Sequence, residues 1–162
     1  MKRLLVAIAA ATLPFTASAS PELAGDWGVK ASDLRDETAS LIAHIDEAGT
    51  ANIPDSYEIE ILRFAAAAQQ LGHWIDGNDG PSDLGCIFRG MAEEGEVQLD
   101  ALSDAASPRA TRQSLVRLAT MFSDAEVIAV AATHSSSHEA PAVQTEIASC
   151  PASAAVAKAA LD

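Results

Sequence analysis

Long apolar runs are scarce in this sequence. Beyond the first 20 residues no stretch approaches the roughly 20 apolar residues that cross a bilayer, so no spanning helix is expected there. Strand-like alternation of useful length is missing, and aromatic residues make up only 4%. Helical signals are left to dominate. Cysteines number two, with no C-x-x-C pair and no C-x-x-C-H, which argues against dithiol redox chemistry and covalent haem. G-x-S-x-G, H-E-x-x-H and a phosphate-cradling glycine loop are also missing. An enzyme therefore has no residue-level support.

Basic residues are few as well. The chain carries 10 Lys and Arg against 23 Asp and Glu, for a net charge of −13. Such a surface repels nucleic acid and anionic membranes. A cationic partner or a cation remains compatible with it.

What the sequence does have begins at its start. Lys2 and Arg3 precede an apolar run from Leu4 to Leu13, and Ala17-Ser18-Ala19 offers a small-x-small cleavage site. These three regions make residues 1–19 a secretory signal peptide, so the expected protein is periplasmic or secreted. Cleavage removes two basic residues and no acidic one, leaving a mature chain from Ser20 with a net charge of −15. A chain of this size is expected to form one domain, residues 20–162.

Residues 20–31, with Pro21, Gly25 and Gly28, read as an irregular leader whose Trp27 packs onto the body. A first helix is expected from about 32 to 48, capped by Ser32 and ended by Gly49, with Leu34, Thr38, Leu41, Ile45 and Ala48 inward. A second begins at Pro54-Asp55 and ends before Gly77, with Tyr57, Ile61, Phe64, Ala68, Leu71 and Ile75 on one stripe. The third starts at Ser82 or Asp83 and runs to about Asp104, with a kink or break expected near Gly95. The fourth starts at Ser107-Pro108 and ends near His134. Val127 to Ala132 is apolar all round, which marks this helix as the most buried. A short helix at about 141–149 and an Ala-rich tail from Pro151 complete an all-α antiparallel bundle of four main helices.

Cys86 and Cys150 are expected to pair in an exported chain. The bridge would close a loop of about 65 residues, worth roughly 4 kcal/mol in the chain-entropy account.

The histidines pose a sharper question. His134 and His138 stand four apart in THSSSHEAP, with Glu139 next to the second. On a continuous helix they would share a face and hold Zn²⁺ or Cu²⁺. Pro141 opposes that helix, because it disfavours helical backbone at Ala140 and lacks an N–H. Ser135, Ser136 and Ser137 favour a cap over a helix interior, and Ser136 with Glu139 matches a capping box. An interhelical link is the simpler reading. His44 and His73 lie near helix C-termini, where the dipole favours them. DGNDGPSD, residues 76–83, offers oxygens for Ca²⁺ but lacks the EF-hand spacing and reads as a tight turn.

The function expected is that of an exported, soluble, acidic helical protein: a non-catalytic periplasmic module that is structural or binds a protein or small ligand. The alternative is a transition-metal-binding or metal-sensing bundle using His134, His138 and Glu139.

Overall fold

The computed structural model describes residues 21–78 and 80–135. Among these the chain forms four helices and no strand: α1 (Pro21–Ala48), α2 (Asp55–Gly77), α3 (Ser82–Ser103) and α4 (Pro108–Ser135). Local chemistry sets the ends. Gly49 closes α1 at φ 68°, a left-handed backbone that suits glycine, and its N–H donates to the Ile45 carbonyl at 2.9 Å. The Pro54 carbonyl accepts from Tyr57 and Glu58 N–H. Ser107 caps α4, its Oγ accepting from the Ala110 N–H at 3.3 Å. The expected signal peptide, Ser20, the helix expected at 141–149 and the Ala-rich tail lie outside the described residues.

Four expectations are corrected. Residues 21–31 are not an irregular leader but the first turns of α1. Pro21 occupies the first helical position, where its missing N–H is harmless. Ala24, Trp27, Ala31, Leu34 and Thr38 then form one buried stripe at steps of 3, 4, 3 and 4. Tertiary packing overrides the weak helix propensity of Gly25 and Gly28. α3 is continuous through Gly95, which sits against α2, where an added Cβ would stand 3.5 Å from the Ala65 Cβ. α4 is not buried all round, since Val127 is 51% and Val130 59% exposed. Ala48 is exposed as well, so the inner stripe of α1 ends at Ile45.

α1 packs most extensively on α4 and α2 on α3, with smaller contacts between α3 and α4 and between α1 and α2. Ion pairs report the directions. Arg112 near the start of α4 holds Asp46 near the end of α1, with Nε–Oδ1 at 2.7 Å and Nη2–Oδ2 at 3.0 Å. Arg35 meets Glu126 further along at 2.5 Å. Lys30 pairs with Glu60 at 2.6 Å, Arg89 with Asp76, and Arg117 with Glu94 at 2.7 Å. Each neighbouring pair carries at least one interhelical ion pair, and contacts at two levels, such as Thr38–Tyr57 with Trp27–Phe64 between α1 and α2, make the neighbours antiparallel.

The centre holds one aromatic ring from every helix. Trp27 of α1 stacks on Phe64 of α2 with centroids 4.6 Å apart and meets Phe88 of α3 edge-on at 5.0 Å. Phe64 meets Phe122 of α4 edge-on at 5.1 Å. The Trp27 indole N–H donates to the Phe64 carbonyl at 3.1 Å, so its one polar atom is satisfied inside the core. The six stripe residues named for α2 are all buried. Tyr57 and Thr38 form a second internal anchor, their hydroxyls 2.6 Å apart. Thr38 Oγ1 donates to the Leu34 carbonyl at 2.5 Å, so the Tyr57 hydroxyl is the donor to Thr38. Burial holds the Tyr57 phenol well above its ordinary range.

Candidate functional site

Where α3 and α4 run side by side they leave a groove of about 320 Å³. Its α3 edge is Gly90, Glu93, Glu94 and Val97, and its α4 edge is Arg117, Thr120, Met121 and Asp124. The steps within each set are 3, 1 and 3, so each helix offers a single strip. Gly90 and Met121 are buried and form the floor, while Glu93, Val97 and Thr120 stand exposed on the rim. Arg117 spans the groove to Glu94, with Nη2–Oε1 at 2.7 Å and Nε–Oε1 at 3.1 Å. Glu93 and Asp124 have no such partner among the described residues.

This arrangement is part of a wider charge pattern. Of the seven basic side chains among the described residues, six are held in ion pairs, and Arg109 is the exception. Lys30 and Arg63 both bond Glu60, and these hydrogen bonds, Lys30 first, hold its carboxyl below the ordinary range. Arg112 does the same for Asp46. The cations are spent on the bundle itself, and the remaining carboxylates set the outer potential.

Cys86 is on α3, one helical turn before Gly90, and is 6% exposed. It stands at the head of the groove edge, at the end of the bundle where α4 finishes. Cys150 lies outside the described residues, as do His138 and Glu139. His134 is exposed in the last turn of α4. Among the described residues no group of three His, Cys, Asp or Glu is placed to hold a metal ion. His44 and His73 are both exposed, near the ends of α1 and α2.

The DGNDGPSD link is a tight turn as far as it is described. Asp76 is engaged by Arg89, Asn78 Nδ2 donates to the Trp74 carbonyl at 2.8 Å, and Gly80 N–H donates to Ile75 at 2.9 Å. A Cβ on Gly80 would stand 2.7 Å from Ile75 Cγ2, so glycine is required there. Asp79 lies outside the described residues.

Sequence reasoning missed the groove, because it depends on which helices become neighbours. The local signal was the strip Gly90, Glu93, Val97, where a glycine and an acid interrupt the apolar positions of α3.

No family model matches the chain, and no curated protein and no solved structure matches it. No described helix is long and apolar enough to cross a membrane.

Proposed function

We propose that the chain is an exported, acidic helical module that acts by binding a cationic partner, with the α3–α4 groove as its contact site. One observation carries this reading. The internal ion pairs take up six of the seven described cations, Arg117 of the groove edge among them, while Glu93 and Asp124 flank an apolar floor without an ion-pair partner among the described residues. A groove that joins buried apolar surface to unpaired carboxylates suits a lysine- or arginine-bearing segment with small apolar side chains.

The basic start, apolar run and Ala17-Ser18-Ala19 site support export and a mature start at Ser20. A Cys86–Cys150 disulfide belongs to the same reading. It is supported by the oxidising compartment and by the position of Cys86 where α4 ends. Intact mass of protein recovered from the periplasm tests both. A chain starting at Ser20 and two hydrogens lighter than the dithiol is expected; a retained leader or two alkylatable thiols would refute the respective part.

Binding is tested with hexalysine as probe, following backbone amide shifts of the mature protein at low and high salt. Shifts concentrated at Gly90–Val97 and Arg117–Asp124, reduced by salt and lost in a Glu93→Gln, Asp124→Asn variant, are the expected result. Shifts spread evenly over the acidic surface would sink the groove as the site.

A further inference from the structure

We infer that the outer face of α4 is the contact surface for a second copy of this chain, the two helices meeting antiparallel across a two-fold axis. The inference goes beyond the groove reading and draws on periodicity, charge and register.

Gln113, Val116, Thr120, Ser123, Val127 and Val130 follow one another along α4 at steps of 3, 4, 3, 4 and 3, and all are exposed. Arg109 and His134, each four residues further out and also exposed, extend the row to both ends of the helix. This is a heptad seam, the spacing by which two helices lie together at a shallow angle. Val29 of α1, exposed as well, adjoins Val130 across a hollow lined by Gly28 and Ala129.

Charge selects the occupant. At a net −13, two copies of the chain repel over much of their surface. Exposed carboxylates mark the outer rows of α1, with Glu22, Asp26 and Asp33, and of α3, with Glu93, Glu96 and Asp100. The α4 seam carries none, and its one arginine, Arg109, is the described cation left outside an ion pair. Ile59 and Leu62 of α2 expose a single apolar turn, with Asp55 beside it.

The register follows from the pattern. With the axis level with Met121 and Phe122, Val116 of one copy meets Val127 of the other, Gln113 meets Val130, and Thr120 meets Ser123, each twice. Two short polar side chains at the centre let the backbones approach. Arg117 and Asp124 stand on one flank of the seam, and the axis brings Arg117 of each copy to Asp124 of the other. Because Gly28 lies against Ala129, Glu22 and Asp26 are level with the end of α4, where Arg109 of the other copy arrives. A parallel pairing would instead set Arg117 against Arg117. Asp124 thus serves the dimer, and in the monomer it is open to the cationic ligand proposed above.

The seam is roughly 38 Å long and about one helix diameter, ~10 Å, wide. A contact of that size belongs with the small, reversible interfaces. The chain is therefore expected to be dimeric at millimolar and monomeric at micromolar concentration.

Sedimentation equilibrium of the protein and two variants tests the surface. Val127→Glu places a carboxylate in both apolar layers and should leave a monomer at millimolar concentration with unchanged circular dichroism. Leu62→Glu, equally exposed but on α2, should leave the dimer intact. A monomeric wild type at millimolar concentration, a dimer that survives Val127→Glu, or one lost in Leu62→Glu would overturn the inference. Oxidative cross-linking tests the orientation, with the native cysteines kept and the wild type as control. Val116→Cys with Val127→Cys in one chain should yield a covalent dimer, and either substitution alone should yield little. Cross-linking of Val116→Cys alone at the level of the double variant would overturn the antiparallel register. No ligand takes part in these measurements, so they stand apart from the hexalysine result.

Discussion

Gly28 of α1 lies so close to Ala129 of α4 that a methyl group added at Gly28 would stand 2.6 Å from the Ala129 Cβ. The most extensive interface of the bundle is therefore set by the absence of a side chain. Gly28→Ala should destabilise by up to about 2 kcal/mol, because overpacking of about 1–3 kcal/mol opposes a helix-propensity gain of about 1 kcal/mol. Gly25→Ala meets nothing within 4 Å and should stabilise by up to about 1 kcal/mol. Urea unfolding of both variants checks the contrast, and Ala129→Gly should recover part of the loss in Gly28→Ala. Stabilisation by both substitutions would show that the helices do not approach this closely.

Trp27 joins three helices through its ring and its indole N–H. Trp27→Ala should cost about 3–5 kcal/mol, the usual range for a large buried aromatic, against a total stability of about 5–15 kcal/mol for a domain. Trp27→Phe should cost less while leaving the Phe64 carbonyl without its indole donor. Thermal unfolding followed by circular dichroism measures both, and a surface-like loss of under about 0.5 kcal/mol for Trp27→Ala would contradict the packing.

Thr38→Val and Tyr57→Phe delete opposite ends of one buried hydrogen bond. Thr38→Val strands the Tyr57 hydroxyl, a penalty of about 1–3 kcal/mol, whereas Tyr57→Phe removes the stranded group with the bond and should cost about 1 kcal/mol. Denaturant midpoints should rank the two in that order.

Tyr57 is the only tyrosine, so phenolate absorbance reports on it alone. Its pKa is raised in the folded state, so the unfolded chain loses the proton first. Stability should therefore fall as pH rises past the ordinary phenol value of about 10. Absorbance should rise only with unfolding, and a phenolate signal from folded protein near pH 10 would contradict the burial.

Asp46 and Glu60 act at the other end of the scale. Both carboxyls lie below their ordinary values of 3.8 and 4.5. Their contribution is present above those values and lost as pH falls through the lowered ones. Asp46→Asn should reduce the melting temperature at neutral pH, and the gap to wild type should narrow as pH falls below 3.8. A gap that persists in acid would assign the effect to something other than the Arg112 pair.

How far the sequence reveals this structure differs from helix to helix. α2 is legible throughout, because its apolar stripe from Tyr57 to Ile75 is unbroken and each residue on it is buried. The start of α1 is obscured because Gly25 and Gly28 carry turn character locally, while the reason for one of them lies about a hundred residues away in Ala129. Val127 and Val130 mislead in the opposite direction. Their aliphatic side chains suggest an interior, but successive helical positions rotate by 100°, and a four-helix bundle has one inside. The groove rests on α3 and α4 becoming neighbours, which no local pattern encodes.

The pairing of α1 with α4 also determines when the fold can close. The helices that share the most surface are first and last among those described. A chain delivered N-terminus first therefore holds Trp27 and Gly28 without their principal partner until Ala129 has emerged. Contacts of such long sequence separation require loop-closure entropy to be met before packing can offset it. Completion of the native core then waits on α4, whereas the α2–α3 hairpin can form before it.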